Sequence, residues 1–232
     1  MWDTALQGLS DAQRQQIGEC MTQRELPPRT VLLRQGRKAG CISVIVSGRI
    51  RSVQVARDGR ESSNVFGRNA MLGVISTMLD EPAFASLETL DHAVVAQLDR
   101  ANLLRLMETV PRLSLNIAMT LARFGSTSVQ RRYRAEEQTP LQLAQVLCEL
   151  ATFDGVGARG EIRGLTQQDL ASMVHASRSW VATKLGYLES LGLLDYRRAI
   201  IVIPDLEALA SYSRGCWPPA ARGGRSAGNG ER

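Results

Sequence analysis

Hydrophobic and polar positions are spaced as in β-strands through much of the first hundred residues. A helix is predicted first, at residues 11–21, with Ser10 as its N-cap. Short runs of alternating apolar and polar residues follow, separated by turns that contain glycine. They predict strands at residues 30–34, 42–46, 50–55, 62–66 and 93–98. Many short strands at this spacing favour a small antiparallel barrel or sandwich.

The spacing becomes helical after residue 98. A short helix is predicted to begin at Asp99 or Asn102 and to end near Thr109, and Pro111 suits the first turn of a long helix. Apolar residues recur in the long helix at spacings of four, four and three: Leu113, Ile117, Leu121 and Phe124. Such a stripe can pack on the barrel of its own chain or against a second copy. We expect a dimer seam, because a lone long helix here has little else to cover it.

Two shorter amphipathic helices are predicted between residues 165 and 194, with a break at His175-Ala176-Ser177. Thr166 and Ser177 suit the N-caps of these helices. Each helix has an apolar face, formed by Leu170, Ala171 and Val174 in the first and by Val181, Leu185 and Leu188 in the second. Small residues point away from the second apolar face: Ser179, Thr183, Gly186 and Ser190.

Two helices joined by a short turn, the second with a polar outer face, are typical of a helix-turn-helix that binds DNA. Short outer side chains would let the second helix enter the major groove, where Arg178 would donate to guanine. A predicted hairpin follows and forms a wing, with two arginines placed to touch phosphates. The predicted DNA contacts are Thr166, Gln167, Ser177, Arg178, Ser179, Thr183, Lys184, Arg197 and Arg198. An ordinary helical hairpin with a solvated face is the alternative.

Composition adds little to these patterns. The net charge of the 232-residue chain is +5, which permits binding to a polyanion without demonstrating it. The four cysteines are not at metal-binding spacing and lie far from both histidines, so we expect no cofactor and no metal. No apolar run approaches the roughly 18 residues that cross a bilayer, and the N-terminus does not resemble a secretory signal. We expect a cytoplasmic protein with no membrane partner.

The predicted elements divide the chain into four segments. Residues 1–110 would form the barrel, and residues 111–138 the long helix and a hinge, because residues 131–138 are highly charged and precede Thr139-Pro140. Residues 139–214 would form the domain that contains the helix-turn-helix and its wing. Residues 215–232 are rich in Pro, Gly, Ser and Arg, which predicts a disordered tail.

Three segments, in this order, resemble the Crp–Fnr family of catabolite-activator-like transcription regulators. They read LLRQGRKAGCISVIVSGRIRSV, VPRLSLNIAMTLAR and LTQQDLASMVHASRSWVATKLGYLESLGLL. The resemblance implies an α+β fold with an N-terminal antiparallel β-barrel like cyclic-nucleotide-binding domains, a long dimerisation helix and a C-terminal winged helix-turn-helix. It implies a homodimer on double-stranded DNA, with operator half-sites about one helical turn apart in a palindrome. It also admits RNA polymerase as a partner.

The effector pocket departs from the pattern of the family's cyclic-nucleotide sensors. Gly73 is present, but Val74 stands where those sensors have a glutamate, and Ala83-Phe84 replace an arginine followed by serine or threonine. We therefore predict that cyclic AMP is not bound in the family's usual way, because its phosphate lacks an arginine. Met71, Val74 and Phe84 either fill the pocket, which we favour, or line a site for a less polar molecule. The effector is therefore unknown.

The sequence predicts a transcription regulator and not an enzyme, since it contains no nucleophile elbow, P-loop or HExxH motif. A cyclic-nucleotide-binding-like module that acts on a partner protein, and not on DNA, is the alternative function. In the second helix of the helix-turn-helix, Arg178 matches the family, but Ser179 and Thr183 replace its glutamate and second arginine. We therefore expect a half-site that differs from that of the catabolite activator.

Overall fold

The computed structural model of the protein describes residues 2–134, 140–153, 160–197 and 200–216. The chain divides into two compact units, Met1–Glu137 and Gln138–Arg232. In the described part of the first unit, the elements in chain order are α1 (Trp2–Ala5), α2 (Asp11–Glu19), β1 (Thr22–Leu26), β2 (Val31–Leu33), β3 (Cys41–Ser47), β4 (Ile50–Val55), β5 (Glu61–Phe66), β6 (Met71–Leu72), α3 (Val74–Leu79), β7 (Ser86–Thr89), β8 (Ala93–Asp99), α4 (Arg100–Thr109) and α5 (Pro111–Arg134).

Two antiparallel sheets form the body of the first unit. Their strand orders are β1-β8-β3-β6 and β2-β7-β4-β5. Apolar side chains from both sheets, among them Ile45, Ile50, Leu87 and Val95, are buried in one core cluster. The predicted antiparallel domain is confirmed, although its described strands form a sandwich of two sheets and not a closed barrel. All the predicted strands are present, whereas α1, β1, β6, β7 and α3 were not predicted.

Strand β1 shows why some strands escape a reading of the hydrophobic pattern. Its sequence TQREL buries only Leu26, so it has no alternation of apolar and polar residues. Pairing with β8, from Thr22 opposite Gln97 to Leu26 opposite Ala93, holds β1 at the edge of its sheet. Backbone hydrogen bonds to a strand seventy residues later therefore define this element.

The turn between β3 and β4 requires glycine at position 48. The φ angle of Gly48 is 81°. A Cβ atom at this position would lie 2.4 Å from the carbonyl oxygen of His92. Both the positive φ and the close approach of the chain exclude a larger residue.

Helices α2, α4 and α5 pack against the sandwich through a second core cluster. Ser10 caps α2 in a capping box with Gln13, which confirms the predicted cap. The long helix is also confirmed, and it runs from Pro111 to Arg134. Residues 131–134 are therefore helical, which corrects the prediction that a hinge begins at residue 131. The rest of that hinge, at residues 135–138, lies outside the described residues.

The second unit consists of helices around a small antiparallel sheet. Its described elements are α6 (Pro140–Phe153), β9 (Gly160–Arg163), α7 (Gln167–Met173), α8 (Arg178–Ser190), β10 (Asp195–Arg197), β11 (Ile200–Ile203) and α9 (Leu206–Ser213). The strand order is β10-β11-β9, and α6 packs against α8, α9 and β9. The predicted helix-turn-helix and hairpin are confirmed, while β9 and α9 were not predicted. The predicted tail lies outside the described residues from residue 217 onward.

Candidate nucleic-acid interface and effector cavity

Side-chain caps fix the start of both helices of the helix-turn-helix. The Thr166 hydroxyl accepts a hydrogen bond from the Asp169 N–H at 3.1 Å, and the Asp169 carboxylate accepts from the Thr166 N–H at 2.8 Å and from its hydroxyl at 2.7 Å. The Ser177 hydroxyl accepts from the Trp180 N–H at 3.1 Å. These bonds satisfy N–H groups that have no partner inside the helix. Thr166 and Ser177, which were predicted to contact DNA, thus cap the helices that carry the other predicted contacts.

The break between α7 and α8 is a left-handed turn at His175. Val174 is the C-cap of α7, and His175 has a φ of 54°. The N–H of Ala176 donates to the carbonyl oxygen of Ala171 at 3.0 Å. This six-to-one hydrogen bond is the closure that follows a left-handed residue at the end of a helix. The turn redirects the chain into α8 without a glycine.

Helix α8 is anchored by one face and exposes the other. The predicted apolar residues of both helices are all buried: Leu170, Ala171, Val174, Val181, Leu185 and Leu188. On the opposite side of α8, Ser179, Thr183 and Gly186 are exposed. A Cβ atom added at Gly186 would meet nothing within 4 Å. The outer face of α8 therefore carries short side chains at these positions and is open to solvent.

Arg178 stands at the first position of α8 and is exposed, and it forms no ion pair with any residue that the structure describes. Nearby polar groups bond locally: the hydroxyls of Ser177 and Ser179 lie 3.0 Å apart, and the Thr183 hydroxyl donates to the Ser179 carbonyl at 3.0 Å. The ammonium of Lys184 lies 5.9 Å from the centroid of the Trp180 ring. Gln167 is half-buried in the first turn of α7.

The wing sheet brings a second arginine beside the predicted Arg197. Arg197 pairs with Ile200, and Ile200 pairs with Arg163 on β9, so the three lie in one row. Paired residues share a face of the sheet, and both arginines are exposed. Two strand spacings separate them by about 10 Å. Arg163 was not predicted because only the strand register places it there. Arg198 lies outside the described residues.

Each of these arginines is held by an acid two residues earlier on its own strand. The Arg197 Nε donates to Asp195 Oδ1 at 3.0 Å, and its Nη2 lies 2.6 Å from Asp195 Oδ2. The Arg163 Nε and Nη2 both donate to Glu161 Oε2, at 2.8 and 2.6 Å. The Asp195 carboxylate thus occupies the guanidinium fork that a phosphate would use. Exposed ion pairs are weak, so a phosphate can displace the carboxylate.

The structure corrects the predicted dimer seam on α5. Leu113 and Ile117 are 0% and 1% exposed and lie in the core of their own unit, among residues of α1, α2 and α4. A partner chain cannot bury them further, so their assignment to a dimer seam is wrong. The alternative interpretation, in which the stripe packs on its own domain, is correct for Leu113 and Ile117. Leu121 is half-buried against the same core, and Phe124 is 37% exposed.

The opposite side of α5 carries large apolar residues that the first unit leaves uncovered. Leu115 and Met119 are 53% and 49% exposed. They are one helical turn apart, and the exposed Ala118 and Ala122 lie beside them. A contiguous apolar surface of this kind on a helix is suited to contact with another helix.

A cavity of about 120 Å³ lies within the first unit. Its walls come from the sandwich, α3 and α5, and it is lined by Leu33, Ser52, Asn64, Phe66, Met71, Leu72, Gly73, Val74, Ile75, Ser76, Ala83, Phe84, Ala85, Leu87, Thr120, Leu121 and Phe124. All the residues predicted for the effector pocket are in this lining. Phe84 is 51% exposed, so its ring does not fill the space. The prediction of a filled pocket is therefore wrong, and these residues line an open cavity, as the alternative of a site for a less polar molecule requires.

The cavity offers no charge to a ligand. None of the described residues that line it is acidic or basic, and the exposed Arg68 lies outside the lining. The polar side chains in the lining are those of Ser52, Asn64, Ser76 and Thr120. The Thr120 hydroxyl donates its hydrogen to the Asn116 carbonyl at 2.8 Å, so its oxygen can only accept from a ligand.

None of the four cysteines is among the described residues that line the cavity. Burial raises the pKa of the Cys148 thiol on α6 to about 11 and also raises the pKa of Cys41. A thiol with a raised pKa stays protonated at neutral pH and is a poor nucleophile and metal ligand. Cys20 and Cys216, like the other two cysteines, form no disulfide.

The chain matches the family of cyclic nucleotide-binding domains over residues 23–110 and the family of Crp-like helix-turn-helix domains over residues 142–212. These matches coincide with the sandwich and with the helix-turn-helix and wing. Fold and site together define a DNA-binding transcription regulator with a cyclic-nucleotide-binding-like domain. The chain belongs to the Crp–Fnr family.

Individual relatives agree with this assignment. The CRP-like cAMP-activated global transcriptional regulator of Mycobacterium tuberculosis is 26% identical over 195 residues, which cover 82% of this chain and 87% of the relative. Among solved structures, FixK2 from Bradyrhizobium japonicum has a TM-score of 0.73 at 16% identity, covering 87% of this chain and 99% of FixK2. The c-di-GMP responsive regulator CLP from Xanthomonas campestris has a TM-score of 0.69 at 21% identity, covering 84% and 99%. These two structures support the fold.

No helix within the described ranges combines the length and the apolar character that a membrane span requires.

Proposed function

We propose that the chain regulates transcription as a homodimer that reads a palindromic operator with α8. The observation that carries this proposal is the exposed Arg178 at the start of α8, which forms no ion pair with a described residue. Its guanidinium can donate to both major-groove acceptors of a guanine. The short side chains of Ser179 and Thr183 leave room for the helix to approach the bases. Two such helices would read half-sites about 34 Å apart.

The uncovered side of α5 supports the homodimer. Leu115 and Met119 would bury their exposed surface against the same residues of a second copy. A dimer binds two half-sites together, and the second contact is then intramolecular, which raises the overall affinity. The wing would add phosphate contacts from Arg197 and Arg198, and contact with RNA polymerase stays an expectation from the family resemblance.

Selection of binding sites from genomic fragments, followed by fluorescence anisotropy, tests the DNA function. Arg178→Ala should weaken binding to the selected operator by about 1–3 kcal/mol and relax the preference at one base pair per half-site. Arg178→Lys is the matched control, because it keeps the charge but loses the planar fork. It should recover affinity for random DNA but not the lost preference.

Two results would count against this proposal. Equal losses on operator and random DNA would show that Arg178 touches only phosphate. Failure of the wild-type protein to retain any genomic fragment would leave the alternative, in which the chain regulates a partner protein.

We also propose that cyclic AMP does not control this protein, although a relative carries the name of a cAMP-activated regulator. The uncharged lining of the cavity supports the proposal. A buried phosphate without a cation loses charge-assisted hydrogen bonds of roughly 1.5–3 kcal/mol each. The side chain of Val74 offers no acceptor to a ribose hydroxyl, and the side chains of Ala83 and Phe84 offer no donor to the phosphate.

Isothermal titration with cyclic AMP and cyclic GMP tests this point. We expect no binding at micromolar concentration, together with operator binding by the ligand-free protein. A micromolar dissociation constant for either nucleotide would overturn the proposal, and it would leave the DNA function untouched.

A further inference from the structure

We propose that the cavity binds a small, uncharged, mainly apolar molecule with one hydrogen-bond donor. The inference rests on the proposed loss of cyclic-nucleotide binding, because it concerns the same cavity. It goes further by assigning the kind of ligand that replaces the nucleotide.

The lining decides the polarity of the ligand. Most of the described lining residues are aliphatic or aromatic, and the remainder carry hydroxyl, amide or glycine groups. An ion transferred into such a site keeps neither its water nor an opposite charge, which is strongly unfavourable. Apolar surface, in contrast, gains from leaving water. The cavity therefore selects against nucleotides, phosphates and carboxylates.

The volume decides the size. A cavity of roughly 150 Å³ lined by aliphatic and aromatic side chains stays dry and binds benzene in another protein. The cavity here is about 120 Å³. It therefore suits a single ring, or an aliphatic molecule of similar size, in contact with most of the walls.

The exposed members of the lining mark the entrance. Phe84 is 51% exposed and Phe124 is 37% exposed, whereas Met71 and Val74 are buried. Phe84 and Phe124 therefore belong to the solvent-exposed side of the lining, from which a ligand can reach the buried wall.

The polar end of the ligand is placed by Thr120. The hydroxyl hydrogen of Thr120 is already donated to the Asn116 carbonyl, so its oxygen can accept one hydrogen bond from the ligand. A ligand with a hydroxyl or N–H at one end satisfies this acceptor. The contact also connects the ligand to α5, whose other side carries Leu115 and Met119.

Three probes of similar shape and different polarity test the inference on the full-length protein. Titration calorimetry and thermal denaturation are carried out with toluene, phenol and benzoate. We expect saturable binding and a raised melting temperature with toluene and phenol, and neither effect with benzoate. Benzoate binding, or no saturable binding of the two neutral probes, would overturn the inference.

Two variants place the binding in the cavity. Ser52→Phe puts a ring into the cavity and should abolish binding of both neutral probes, while Ser47→Phe, at an exposed position outside the lining, should not. Thr120→Val removes the acceptor and should weaken phenol about three- to tenfold while leaving toluene unchanged. This comparison still decides the matter if Ser52→Phe fails to fold. Probe binding that survives in Ser52→Phe, or equal losses of phenol and toluene in Thr120→Val, would count against this cavity.

Operator binding is measured on the same samples, so the two proposals can fail separately. A wild-type protein that binds operator but no neutral probe would refute only the inference about the cavity's ligand. A protein that binds probes but not DNA would refute only the proposed function.

Discussion

Asp195 occupies the position on Arg197 that a DNA phosphate would take. The carboxylate contacts two nitrogens of the guanidinium, and both side chains are at the surface. If Arg197 contacts phosphate, as proposed, it must exchange one anion for another on binding DNA. The acid lowers the gain from the phosphate contact and adds a negative charge that faces the DNA.

Asp195→Asn should consequently tighten DNA binding. It removes the competing charge with almost no change in shape, and exposed ion pairs of this kind are worth about 0.2–1 kcal/mol. We expect affinity to rise about 1.5- to fivefold per half-site on operator and random DNA alike. Glu207→Gln removes an exposed acid from α9 and is the matched control in fluorescence anisotropy. Unchanged affinity in Asp195→Asn would mean that Arg197 does not contact phosphate.

Gly186 is a second residue where stability and DNA binding are opposed. A Cβ atom there would meet nothing in the protein, and alanine favours the helix by about 1 kcal/mol. Gly186→Ala should therefore raise the melting temperature but weaken DNA binding, because the added methyl group enters the space between α8 and the bases. Gly18→Ala, at an equally open position in α2, should change stability alone. Full DNA affinity in Gly186→Ala would place this part of α8 away from the groove.

At the scale of elements, α5 has two apolar sides with different roles. One side, with Leu113 and Ile117, completes the core of the first unit. The other exposes Leu115 and Met119. The helix can therefore hold its own domain and offer a surface to a second copy at the same time.

Charged substitutions on the outer side of α5 test this division. Leu115→Glu or Met119→Glu should give monomers that stay folded and bind the operator poorly, because each monomer then engages one half-site alone. Leu79→Glu is the matched control, since Leu79 is 60% exposed on α3. Light scattering at micromolar concentration gives the oligomeric state, and circular dichroism shows the fold. A wild-type protein that is monomeric at this concentration would contradict the proposed homodimer.

The elements that the sequence predicted correctly are those that local spacing defines. The helix-turn-helix was found because the caps and apolar faces of α7 and α8 repeat within a few residues. The side of α5 was misassigned because an apolar stripe shows that a face is covered, but not by what. Strand β1 and Arg163 on β9 were missed because the first is mostly exposed and the second depends on strand register. The open cavity depends on where the Phe84 ring lies, which spacing does not specify.

At the scale of the whole molecule, every contact in the proposed dimer is made twice. The arginine row of the wing, Arg163 and Arg197, would therefore supply four guanidinium groups to one operator. The number of such phosphate contacts determines how steeply the binding constant falls with salt concentration, because each contact releases counterions from the DNA.

Replacing Arg163 or Arg197 with alanine should lower affinity on all DNA sequences. The slope of log K against log salt should fall by about 1.8 for either variant, since a dimer loses two contacts of about 0.9 each. Arg37→Ala, which removes an exposed arginine from the first unit, should leave the slope unchanged. A fall of about 0.9 would indicate that only one wing of the dimer touches DNA, and an unchanged slope would leave the arginines as solubilising charges.

The contact between α5 and the N-terminal residues also determines how late in its synthesis the first unit can finish folding. The buried amide of Asn116 donates to the carbonyl oxygens of Ala5 and Gln7, which precede it by 111 and 109 residues. A ribosome that adds about 5–20 residues per second leaves those first residues waiting for roughly 5 to 22 s. During that time the N-terminal segment lacks its contact with α5, although Asn69 is already present to bond with Trp2 and Asp3. Folding of the first unit is therefore completed by the contacts of its first residues, after almost all of its own length has been synthesised.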